Sequence, residues 1–92
     1  MKFEWDEGKN KANLQKHGID FNDVPELFNQ PMLVLLDNRD DYGEERWIGV
    51  GMLFELVCVT VYTEREGDII RIISARKATK REAIAYANTI KN

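Results

Sequence analysis

The chain has 92 residues, of which 43% are apolar and 32% charged, and a formal net charge of −3. That length supports one small core, so residues 1–92 are read as a single domain. No apolar run approaches the roughly eighteen residues of a membrane span, the start MKFEWDEGKN lacks a signal peptide's apolar stretch, and Cys58 is the only cysteine, so a soluble chain in a reducing cytoplasm is expected.

In chain order, Asp6 is placed to cap a helix over about Glu7 to His17, and Gly18 to end it. Within it only Ala12 and Leu14 are apolar, while Lys9, Asn13 and Lys16 or His17 recur on one face, either a solvated face or a surface for a ligand. FNDVPELFNQP reads as a second, shorter helix with Asn22 or Asp23 near its cap, Pro25 in its first turn and Pro31 ending it. MLVLLD then reads as a short buried strand, NRDDYGEE as a polar loop, and RWIGVGM, ELVCVTVYT and DIIRIISAR as three further strands. Short connections predict an antiparallel meander of four strands, giving an α+β fold with two N-terminal helices, a four-stranded antiparallel sheet and a C-terminal helix.

The hairpin from Glu55 to Arg76 allows faces to be assigned. A turn centred on Glu66-Gly67 pairs Arg65 with Asp68, Val61 with Ile72 and Tyr62 with Arg71. Val57, Val59, Val61, Ile70 and Ile72 then form the apolar face expected to receive the helices. Cys58, Thr60, Tyr62 and Arg71 form a mixed face, suited either to nucleotides or to partial burial, and Cys58 is read as a buried side chain. The last helix is expected over about Lys80 to Ile90, with Thr79 and Glu82 at capping-box spacing and Ala83, Ile84, Ala87 and Ile90 as its apolar stripe.

Charge is distributed unevenly. Residues 1–70 carry seven Lys/Arg against fifteen Asp/Glu, whereas residues 71–92 carry six against one. A local positive field of this kind attracts polyanions even when the total is negative. Arg76, Lys77, Lys80 and Arg81 surround the start of the last helix, where the backbone dipole already disfavours cations; either a bound phosphate offsets the crowding or the long side chains splay into water, where screening makes it cheap. Arg65, in the tight turn, is either a second phosphate ligand or a cross-strand partner of Asp68. His17 is the one side chain with an ordinary pKa near neutrality, hence an acid–base candidate, although its place at a helix end also explains it. Metal and nucleotide cofactors are disfavoured: one Cys and one His make a poor zinc set, and no P-loop, G-x-G-x-x-G or H-E-x-x-H pattern occurs.

FEWDEGKNKANLQKHGIDF, DNRDDYGEERWIGVG and VTVYTEREGDIIRIISARKATKREAIAY, taken in order, resemble the BrnT family of ribonuclease toxins over nearly the whole chain. Lys9, Asn13, Lys16, His17 and Gly18 correspond to the first motif, and Arg65, Arg71, Ser74, Ala75 and Arg76 to the last. The resemblance implies a RelE-like fold (α-α-β-β-β-β-α) and a cytoplasmic toxin of a type II toxin–antitoxin pair that cuts RNA and inhibits translation. It also implies a BrnA-type antitoxin partner, contact with operator DNA only through that antitoxin, and homodimers or toxin–antitoxin hetero-oligomers. The chemistry implied is metal-independent attack of the ribose 2′-hydroxyl on the adjacent phosphate, with no cofactor. Arg76 would then stabilise the phosphate, assisted by Arg65 or Arg71, with His17 as acid–base group and Lys9, Lys77, Lys80 and Arg81 positioning the backbone. The rival reading is a non-catalytic adaptor that binds nucleic acid or a protein partner; a direct DNA reader lacks a helix-turn-helix or ribbon signature.

Overall fold

A computed structural model describes residues 1–91, without the side chain of Lys91. Strand β1 (Lys2–Glu4) leads into helix α1 (Glu7–His17) and a 3-10 helix (Phe21–Asn29). Strands β2 (Leu33–Asp37), β3 (Arg46–Leu53), β4 (Leu56–Arg65) and β5 (Ile69–Lys77) follow, and helix α2 (Lys80–Lys91) ends the described chain. The sheet has five strands in the order β1-β5-β4-β3-β2. The four expected strands form the antiparallel meander. The fifth, β1, runs parallel to β5, pairing Lys2, Phe3 and Glu4 with Ile69, Ile70 and Arg71, so the sheet is mixed. Among the described residues no helix is long and apolar enough to cross a membrane.

Three local expectations change. The second helix is of 3-10 type, and Asp20 caps it by accepting from the Asn22 N–H at 2.9 Å. Strand β2 is an edge, not a buried strand, with Val34, Leu35 and Leu36 exposed. In α2 the buried anchor is Tyr86, whose hydroxyl donates to the Pro31 carbonyl at 3.2 Å, while Ile84 faces solvent.

The register of β4 and β5 differs most consequentially. Val61 pairs with Ser74 but Tyr62 pairs with Ile72, so Ile73 is an extra residue in a β-bulge. Side chains alternate along a regular strand, and one inserted residue reverses the alternation beyond it. Tyr62 and Ile72 therefore share a face with Cys58, Thr60 and Ala75, against which Phe21, Val24 and Leu27 pack. That face is the helix-covered core and not a mixed surface. Gly51 on β3 permits the approach, since a Cβ there would meet Met32 Cγ at 3.0 Å and Leu27 Cδ2 at 3.2 Å. On the opposite face Val50 and Val59 pack with Tyr86, flanked by Val57 of β4 and Ile90 of α2. The sheet is thus covered from both sides, by different helices.

Helix α1 has almost nothing apolar to bury, and its buried residues are Asn10 and Asn13. Asn13 donates to the Ile19 carbonyl at 2.9 Å and the Ala75 carbonyl at 2.8 Å, and accepts from the Ala75 N–H at 3.1 Å. Its amide thus substitutes for a neighbouring strand along the edge of β5 that β1 leaves uncovered. Asn10 accepts from the Phe21 N–H at 2.8 Å and donates to Asp20 at 3.0 Å, fixing the entry to the 3-10 helix. Gly18, at φ 72°, turns the chain between them, where any residue with a Cβ would be strained.

Candidate functional site

Beyond the bulge the reversed alternation gathers cations. Arg71 pairs with Thr63, Ser74 with Val61 and Arg76 with Val59, so all three β5 residues project to the α2 side of the sheet. Without the extra residue, Arg71 and Arg76 would lie on opposite faces. Arg65 joins that side at the end of β4, and Glu4 of β1 sits between the two cations, 2.8 Å from Arg71 Nη1 and 3.5 Å from Arg65 Nε. These pairs are partly exposed, so each contributes at most about 1 kcal/mol and leaves both guanidinium groups able to exchange partners.

Farther along the same face lies a cavity of about 260 Å³ lined by Arg39, Ile48, Val59, Val61, Ser74, Arg76 and Glu82. Its floor is aliphatic and its rim charged. Arg76 forms a two-point pair with Glu82, Nη1 to Oε1 and Nη2 to Oε2, both at 2.8 Å. Glu82 is also the far half of the capping box, accepting from the Thr79 N–H at 2.8 Å while its own N–H reaches Thr79 Oγ1 at 3.2 Å. The Arg76 fork and these helix bonds hold the Glu82 carboxyl down at about 2. Glu82 thereby offsets the crowding of cations at the start of α2, where Lys80 and Arg81 stand exposed.

Arg39 approaches the same cavity from the loop after β2. Asp37, its side chain only 1% exposed, accepts from Arg39 Nε and Nη2 at 2.8 Å each. That fork holds the Asp37 carboxyl at about 2. The larger opening, about 600 Å³ and lined by Glu44, Glu45, Trp47, Thr63, Glu64 and Arg65, carries three carboxylates that repel a polyanion, so the smaller cavity is the better anion site.

The structure brings together only part of the expected set. Arg76, Arg71 and Arg65 share one face, with Lys80 and Arg81 beside it on α2. Lys77 pairs with Cys58 and its Cβ projects to the opposite face. Lys9 is exposed on α1, and His17, half-buried in the last turn of that helix, does not line the cavity. Of the polar α1 face, expected to be either solvated or a working surface, Asn13 instead holds the helix to Ala75. Cys58 is fully buried, and burial pushes its thiol up, as suits a core side chain. Arg39 was hidden in NRDDYGEE, whose acids mask the one arginine. The signal was Asp37 two residues earlier, where a strand ends.

The chain is a small α+β domain with an arginine-lined sheet face beside an aliphatic pocket, an arrangement whose charge favours anions. Residues 5–82 match the family described as ribonuclease toxin, BrnT, of type II toxin-antitoxin system, and the chain belongs to that family. Among solved structures it is similar to the Brucella abortus ribonuclease toxin BrnT, at 28% identity and a TM-score of 0.72 over 87% of this chain and 99% of that one. No curated protein matches it significantly.

Proposed function

We propose that this ribonuclease toxin cleaves RNA without a metal, at the face bearing Arg65, Arg71, Ser74 and Arg76. The observation that carries the reading is the bulge at Ile73, which aligns cations that a regular strand would divide between two faces. In the proposed reaction the 2′-oxygen loses its proton and attacks phosphorus, the P–O5′ bond breaks, and the 5′-oxygen takes up a proton. Products are a 2′,3′-cyclic phosphate and a 5′-hydroxyl. Charge accumulates on the phosphoryl oxygens, where a guanidinium fixed beforehand stabilises the transition state. Arg76 is assigned that role, with Arg65 and Arg71 holding a neighbouring phosphate and Lys9, Lys77, Lys80 and Arg81 steering the polyanion. His17, although it stands outside the cavity, is the proposed acid–base group, since an imidazole is the side chain suited to proton transfer near neutrality.

Cleavage of this kind would inhibit translation. A BrnA-type antitoxin is the proposed neutralising partner, and it supplies contact with operator DNA. The test is incubation of purified RNA with the antitoxin-free protein in EDTA, with product ends mapped. Arg76→Ala is expected to lower turnover about 10²–10³-fold at unchanged folding. A change below about threefold would remove Arg76 from the transition state, whereas intact RNA after incubation with folded parent protein would favour the adaptor reading. A neutral limb missing from the pH–rate profile of His17→Gln would mark His17; an unaltered profile would assign proton transfer to another group.

A further inference from the structure

From the geometry we infer that Arg39 and Arg76 form a two-sided clamp for a single phosphodiester of the RNA, with buried Asp37 as the positioning residue that aims Arg39. The inference rests on the reading of this face as an RNA site and adds a loop residue that the family motifs in β5 and α1 do not include.

Both guanidinium groups line one small cavity, and each is gripped by a carboxylate at two points, Arg39 by Asp37 and Arg76 by Glu82. Like charges facing one cavity repel, and an anion between them converts that repulsion into attraction on both sides. Asp37 holds Arg39 through Nε and Nη2, Tyr42 is a further neighbour of the pair, and the guanidinium still lines the cavity. The burial of the pair is lopsided, at 1% side-chain exposure for Asp37 and 63% for Arg39. A pair formed only to fasten the loop would need no such outward cation. The lopsidedness suits a fixed base that holds a cation outward. Asp37 also accepts from the Arg39 N–H at 3.2 Å, so one buried carboxylate sets both the turn and the direction of the side chain. The ligand class follows from the remaining walls: Ile48, Val59 and Val61 offer an aliphatic floor suited to a ribose or base edge, and Ser74 a hydroxyl. A phosphate ester carrying a sugar fits both halves of the cavity; inorganic phosphate would use only the rim.

The test is fluorescence anisotropy of a labelled 2′-O-methyl oligoribonucleotide, which cannot be cut, titrated with parent, Arg39→Ala, Arg39→Lys and Asp37→Asn proteins across a range of salt. RNA turnover and thermal melting are measured in parallel. Arg39→Ala is expected to weaken binding about tenfold at 0.1 M salt and to flatten the slope of log K against log salt by about 1, one phosphate contact having been lost. Arg39→Lys should keep the slope but not the turnover, because a point charge lacks the fork. Asp37→Asn should retain affinity while turnover falls about tenfold, as expected when a cation is kept but misaimed; a purely structural Asp37 would instead lower affinity, turnover and melting temperature together. Parent protein that cuts RNA, with Arg39→Ala equal to it in slope and turnover, sinks the clamp alone. Parent protein that binds without cutting sinks the nuclease reading, and the slope of Arg39→Ala then decides the clamp separately. Parent protein that neither binds nor cuts overturns both.

Discussion

Helices α1 and α2 are fastened to one sheet by different means, α1 along the edge of β5 and α2 against the face that carries Val50 and Val59. Helix α1, with almost no buried apolar surface, is held through Asn10, which bonds to the Phe21 N–H and the Asp20 carboxylate, and through Asn13, whose amide bonds only to backbone groups of the turn and of β5. Helix α2 buries Tyr86 among Val50 and Val59 and adds the charged Arg76–Glu82 pair at its start. The difference shows what each attachment can sense. Amide-to-backbone bonds carry no titrating group and depend little on salt, so the Asn13 contact is indifferent to solution conditions. The start of α2 is tied by a charge pair to a residue of the cavity and therefore responds to pH, salt and any anion that competes for Arg76.

The largest expected break in that comparison is at Asn13. Asn13→Ala leaves the Ala75 N–H and carbonyl and the Ile19 carbonyl without their partner in a dry site, and should cost about 3 kcal/mol in urea unfolding. A loss below about 1 kcal/mol would show that α1 is held by something other than its amides.

Acid should separate the helices next. Glu82, held at about 2 against an ordinary value of 4.5, contributes stability fully present above pH 4.5 and lost as pH falls toward 2. Because the pair is a third exposed, the loss is discounted to about 1 kcal/mol. Amide hydrogen exchange between pH 5 and pH 3 should show the first turn of α2 losing protection before the Ala75 N–H does. Simultaneous loss would mean that the two attachments are not independent.

The smallest effect is expected at Ile84, which is 52% exposed on α2. Ile84→Lys should change melting by the equivalent of no more than about 0.5 kcal/mol, as for other surface substitutions. A larger loss would place Ile84 in the packing of α2 after all.

Much of this architecture was legible in residue order, where local chemistry decides it. Asp6 and Gly18 bound α1, and Thr79 with Glu82 opens α2, because caps act over three or four residues and leave a mark at that spacing. Strand β1 was not legible. Lys2–Glu4 is too short to show a period, and its pairing with β5 depends on residues more than sixty positions away. The bulge was missed for a related reason, since counting outward from the turn assumes unbroken alternation, and nothing in DIIRIISAR announces the extra residue. Arg76 stood out because its neighbours are basic. Arg39 did not, because its loop is acidic, and only the fold shows which way it faces.

The bonds between Asn13 and Ala75 span 62 positions. During synthesis, α1 emerges early but has no strand to grip until β5 has left the ribosome. Arg71, Ser74 and Arg76 arrive on that same strand, so the support for the proposed site and the site itself are completed together. A partly made chain therefore has neither the proposed cutting face nor the edge against which to shape it.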